Sequence, residues 1–194
     1  METYTLPTPA YPAELGEITL ALWTNIASAS ELRQRLVAAS MMQGTEAAAV
    51  REKLDFAFID GTMIVSRQHI LTAAHQAILG AAQGELRTQT VHSELIDHLN
   101  PTTNIAEGLR RFGISAKSTS VLLVKIGRIR TDSEKHKLEM HMAHLTMGKL
   151  TSLDTLQETA DMTALKKIYK MNNDEITHNL IATYTSLNKT VGVI

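Results

Sequence analysis

The chain has 194 residues, 44% apolar and 20% charged, a length and composition that predict one compact domain with a core of its own. A formal net charge of -1 excludes a bulk polyanion binder, whose first footprint is a large positive charge. The absence of cysteine excludes disulfides, a thiol nucleophile and thiolate metal sites.

Pro7, Pro9, Pro12 and Gly16 punctuate the first sixteen residues and predict an extended, mobile lead-in over 1–16. One domain is expected over 17–194. Glu17 to Ile26 alternates, with Ile18, Leu20 and Leu22 on one face and Thr19, Ala21 and Trp23 on the other. That period of two predicts a strand. Ser30 is expected to cap a helix whose stripe is Leu32, Leu36 and Val37. Met41 to Ala49 is small, polar and Ala-rich, and reads as a frayed helix end or a surface insertion. Phe56 to Ile59 reads as a short buried strand, turned by Asp60-Gly61.

A helix is predicted from about Arg67 to Ala82, with Ile70, Leu71, Ala74, Ala77, Ile78 and Ala81 on its inner face. A second carries Val91, Leu95 and Leu99 inward and stops at Pro101. A third starts at Asn104-x-x-Glu107, turns Ile105, Leu109 and Phe112 inward, and ends with Gly113 as its C′ residue. Ser118 to Ile126 is a near-continuous apolar run, the mark of a strand buried on both faces. Helices are then expected from Asp132 (Leu138, Met142 and Leu145 inward), over Asp161 to Met171, and from about Asn173 to Asn188. Three or four strands and about six helices in mixed order predict an α+β domain. Its sheet is small, mixed or antiparallel, and packed by helices.

The chemistry-bearing residues are sparse. His141 and His144 sit at i, i+3 on one predicted helix, with His136 and Glu139 beside them, but the His-Glu-x-x-His spacing of a metalloprotease is missing. Ser66 stands three residues before His69 without a Gly-x-Ser-x-Gly elbow, so a helix N-cap competes with a nucleophile. His69 is then either a packed, hydrogen-bonded histidine or a ligand contact. No Gly-rich phosphate loop is present. A small Ser66/His69 or His141/His144 hydrolase is the enzymatic alternative. At the other end, Tyr184, Leu187, Val191, Val193 and Ile194 carry an apolar stripe to the final residue. Chain ends usually turn polar, so this one tucks into its own core or docks on a partner as a helix in a groove.

One ordered set of segments is more specific than any single motif. Phe56-Ala57-Phe58-Ile59-Asp60, Arg87-Thr88, Ser93-Glu94, Pro101-Thr102-Thr103-Asn104-Ile105, Phe112-Gly113-Ile114 and Lys167-Ile168-Tyr169-Lys170 occur in the order typical of one family. That order resembles the Cgi/TPRKB-type kinase-binding subunit of the EKC/KEOPS tRNA-modification complex, and the fungal members most. The resemblance implies a non-catalytic protein without cofactor or metal. It would bind and stimulate a small atypical kinase/ATPase and meet the other subunits through it. It would also grip the acceptor CCA end of tRNA for threonylcarbamoyladenosine synthesis, with a link to telomere maintenance. Kinase docking is expected at Leu180, Ile181, Tyr184, Leu187, Val191 and Ile194, and RNA contact near Ser66, His69 and Arg87. No membrane partner is expected, and the protein is placed in nucleus and cytoplasm. Two departures stand out: Arg87-Thr88-Gln89-Thr90 lacks a second basic residue expected there, and Gly108 sits inside a helix at a cost of ~1 kcal/mol relative to Ala.

Overall fold

The computed structural model describes residues 1–7 and 11–171. Five strands form one antiparallel sheet: β1 (Glu2–Thr5), β2 (Glu17–Thr24), β3 (Ala57–Asp60), β4 (Ser120–Ile126) and β5 (Lys149–Thr151). Their order is β1-β2-β4-β3, with β5 also paired to β2. The helices are α1 (Ala29–Met41), α2 (Thr45–Lys53), α3 (Arg67–Gln83), α4 (Val91–Leu99), α5 (Ile105–Phe112), α6 (Asp132–Thr146), α7 (Leu156–Thr159) and α8 (Met162–Tyr169). This is the expected α+β class.

The sheet is buried on both faces because its two central strands are apolar on both. Leu22 pairs with Leu122 and Leu20 with Val124; these side chains point to a core shared with Ile70, Ile78, Leu95, Leu99, Phe112 and Tyr169. The alternate residues Ala21, Trp23, Val121 and Leu123 point to a second core with Leu32, Phe56, Phe58, Ile114, Met142 and Leu145. Helices α3, α4 and α8 therefore cover one face, and α1 and α6 the other. Phe112 lies in the first core and Ile114 in the second. The chain crosses between the layers at Gly113, bridging to Ile59 on the edge strand β3.

Several local expectations change. Helix α1 is capped by Ser28, whose Oγ accepts the Glu31 N–H at 3.2 Å, and Ser30 lies within the first turn. Ser28-x-x-Glu31 has the spacing of a capping box, which Ser30 followed by Arg33 lacks. Of the two readings of the Ala-rich stretch, frayed helix end or surface insertion, the second is nearer: after Gly44, with φ +90°, it forms a separate surface helix, α2, seated on buried Ala47. Part of the lead-in, Glu2 to Thr5, is edge strand β1. Its Glu2 carboxylate receives two hydrogen bonds from Arg67, at 2.8 and 2.6 Å, which lower its pKa to about 2.

Helix α5 holds two more differences. Leu109 does not face inward but is 44% exposed. Gly113 ends the helix in extended backbone, φ -70° and ψ 162°, rather than as a left-handed C′ residue. Glycine is needed there for space, because a Cβ would lie 2.5 Å from the Leu109 carbonyl oxygen. Gly108 is explained the same way: a Cβ would lie 3.2 Å from that of Asn100, so the small residue lets α5 pass close to α4. The helix expected from about Asn173 to Asn188 lies outside the described residues, as do all six positions assigned to kinase docking.

Candidate functional site

Three of the six ordered segments that carry the family resemblance meet in loop-fastening bonds. Glu94, buried on α4, accepts the Arg87 and Thr88 N–H groups at 3.0 and 2.8 Å and the Thr88 hydroxyl at 2.8 Å. Arg87 Nη1 lies 3.4 Å from Asp97, and its Nη2 donates to the Thr103 carbonyl at 2.9 Å. Asn100 Nδ2 donates to the carbonyls of Thr102 and Asn104, both at 3.2 Å, while its Oδ1 accepts from Arg111 at 2.9 Å. These bonds satisfy backbone groups that the turns around α4 and α5 would otherwise leave open.

The positions proposed for RNA contact do not form one surface. Ser66 Oγ caps α3 by accepting the His69 N–H at 3.2 Å. His69 is fully buried, with Nε2 3.0 Å from the Tyr169 hydroxyl, which itself donates to the Leu99 carbonyl at 2.6 Å. Nε2 therefore carries the ring proton, and Nδ1 is left to accept a long contact from the Val65 N–H at 3.5 Å. Of the two readings of His69, packed residue or ligand contact, the ring's surroundings match the first. Burial lowers its pKa to about 3, so the ring is neutral. Arg87 keeps a 41% exposed side chain but stands beyond the opposite end of α3 from Ser66. The 17 residues of that helix span about 25 Å.

The alternative chemistries find no geometry either. The imidazole of His69 points to Tyr169 and Val65 while Ser66 is held as a cap. His141 Nε2 lies 2.6 Å from the Lys53 carbonyl oxygen and its ring lies against Phe56. Among the described residues no three His, Cys, Asp or Glu side chains converge as metal ligands. No helix there is long and apolar enough to cross a membrane.

A concavity lies elsewhere among the described residues, on the face of the sheet that carries α1. A groove of about 590 Å³ runs between α1 on one side and α4 and α5 on the other. Its floor is Phe56 and Phe58 from the β3 segment and Ile114 after α5; its walls bring Leu36, Val37, Ile96 and Leu109. Val37 is 42% and Leu109 44% exposed, although both sit on stripes that read as core-facing. Among the described residues its charged lining side chains are Arg33 and Arg110.

A polar cluster closes the inner wall. The Ile126 N–H donates to His92 Nε2 at 3.0 Å, which leaves the His92 proton on Nδ1, 2.9 Å from Asp55. Lys125 Nζ reaches the same carboxylate at 2.5 Å and lies 5.7 Å from the centre of the Phe56 ring. Partial burial by itself would raise the Asp55 pKa. His92 and Lys125 outweigh that and hold it well below the usual carboxylate range. The cluster ties the start of α4 to β4 and sets Lys125 over the Phe56 ring. An apolar floor flanked by two cationic side chains is the make-up of a binding surface.

The chain matches the family described as kinase binding protein CGI-121 over residues 23–190. It belongs to the CGI-121 family of kinase-binding proteins. Its relatives within that family are named EKC/KEOPS complex subunit CGI121. The Cryptococcus neoformans protein is 31% identical over 205 residues, covering 89% of this chain and 88% of its own. The Aspergillus fumigatus protein is 31% identical over 169 residues, covering 86% and 82%. The Neurospora crassa protein is 33% identical over 134 residues, covering 62% and 65%. In this CGI-121 chain the groove residues Val37, Leu109, Arg33 and Arg110 escape a sequence reading. The one available signal is that the Leu36-Val37 pair makes the α1 stripe wider than its contact with the core requires.

Proposed function

We propose that this chain is a non-catalytic subunit of an EKC/KEOPS complex that binds and stimulates the complex's small atypical kinase/ATPase. Through that kinase it meets the other subunits, and it helps bring tRNA by its acceptor CCA end to threonylcarbamoyladenosine synthesis. Its setting is nucleus and cytoplasm, with the telomere link expected of the same complex. The observation that carries this reading is the match to a kinase-binding family along residues 23–190. The preformed apolar groove supports a docking role and supplies a surface for it.

For tRNA, Arg87 is the contact to retain. Its guanidinium has five donors, and two of its nitrogens engage Asp97 and Thr103. His69 leaves the set because no part of it reaches solvent.

Co-purification from the source organism tests the assignment. The atypical kinase is expected to come with the tagged full chain, and its repeated absence rejects the reading. The RNA part is checked separately by titrating tRNA with and without its CCA end. Weaker binding of the trimmed tRNA is expected, and equal binding removes the acceptor end from the proposal.

A further inference from the structure

We propose that the outer face of α6 holds a soft monovalent cation, Cu(I) or its chemical analogue Ag(I), between Met140, His144 and Met147, with His136 one turn away. The four residues, from His136 on, follow one another at intervals of four, four and three. At about 100° per residue they fall within an arc of roughly 80° on the helix. Side chains so spaced are neighbours, with Cβ atoms about 5–6 Å apart. A thioether and an imidazole on successive turns can therefore close on one ion. Met140 and His144 supply the first two ligands, and Met147 on the next turn supplies the third.

The fold leaves these side chains unused. Elsewhere on the same helix Met142 is fully buried, and His141 is held at the Lys53 carbonyl oxygen and against Phe56. His136 and His144 are exposed and share no hydrogen bond or ion pair with any described residue. Met140 is 59% and Met147 58% exposed. Met147 also sits at φ 47° and ψ 33°, the left-handed conformation in which helices usually end on glycine or asparagine. A side chain kept at that position without packing is free for another contact. The donors choose the ion. A thioether is neutral and polarisable and favours Cu(I), which imidazole also serves, over the oxygen-seeking Mg and Ca ions. The arc from His136 to Met147 contains no carboxylate for a hard cation. The last turn of α6 adds the negative end of the helix dipole beside His144 and Met147.

The site stands apart from the kinase-binding reading, and the lack of any cysteine leaves no thiol to compete for the ion. The untagged full chain, with isotope-labelled methionine methyl groups, is titrated with Ag(I) in chloride-free buffer. The Met140 and Met147 methyl resonances are expected to shift together and to saturate at about one equivalent. Met41, 75% exposed on α1, should respond only later, and buried Met142 not at all. Calorimetry then compares variants. Met140→Leu combined with Met147→Leu keeps the side chains apolar and of similar size, and should weaken Ag(I) binding about tenfold or more. His144→Gln should weaken it too, and Met41→Leu should leave it unaltered. A Met41 shift as early as that of Met140, a titration that never saturates, or a Leu pair that binds like the parent chain overturns the proposal. Zn(II) bound as tightly as Ag(I) also overturns it, because the histidines alone would then make the site.

Discussion

His69 is a neutral imidazole that the fold prevents from charging. Its Nδ1 faces the Val65 N–H, so a second ring proton would meet a donor, and burial lowers the pKa to about 3. In the unfolded chain a histidine titrates near 6.5. Below that pH the unfolded state binds a proton that the folded state refuses, so folding stability falls as pH falls from about 6.5 toward 3. The expected contribution is up to about 1.4 kcal/mol per pH unit in that window. Urea unfolding between pH 6.5 and 5 measures it above the range where most carboxylates protonate. His69→Gln should be less stable at pH 7 and show a shallower slope. An unchanged slope would mean that another group sets the acid limit. His69, one of three residues read for RNA contact, is buried, and the letter His carries no information about burial.

Among the elements, α8 is joined to α3 and α4 through one atom. The Tyr169 hydroxyl links three helices, standing 3.0 Å from His69 Nε2 on α3 and donating at 2.6 Å to the carbonyl of Leu99 at the end of α4. Tyr169→Phe keeps the ring against Phe112 but leaves a buried donor and a buried acceptor without that partner. The expected loss is about 1–3 kcal/mol, read as a lower denaturation midpoint with an unchanged denaturant dependence. A change under half a kcal/mol would show that the neighbours re-pair. Elements such as β2, β4 and α3 are legible in the sequence because their apolar periods run through seven or more residues. Helix α2 is not, since its nine residues bury one alanine and show no stripe. The start of α1 was legible in principle, because the Glu that completes the capping box follows Ser28 by three residues. The Tyr169 link joins residues 70 and 100 positions apart, and local pattern carries no such pairing.

At the scale of the whole molecule, the fold was readable and the groove was not. A leucine reads the same whether it fills a core or lines an open cleft, and the distance between α1 and α5 follows from how both pack on the sheet. Helix α5 gets its close seat on α4 from Gly108 and crosses to the second core at Gly113, which leaves Leu109 pointing across the gap toward α1. If the groove serves docking, its apolar walls can be changed without cost to the core. Val37→Asp combined with Leu109→Asp is expected to shift stability by less than about 1 kcal/mol, because both side chains are already exposed. The same pair should weaken kinase binding at least tenfold, the effect of losing about 1.4 kcal/mol of contact. A matched pair on α6, Met140→Asp with His144→Asp, changes exposed side chains that do not line the groove and should leave binding unaltered. Titrating the kinase against the three proteins separates the cases. Equal affinities place docking away from the groove, on another face or on residues 172–194 alone. A loss confined to the groove pair assigns the surface.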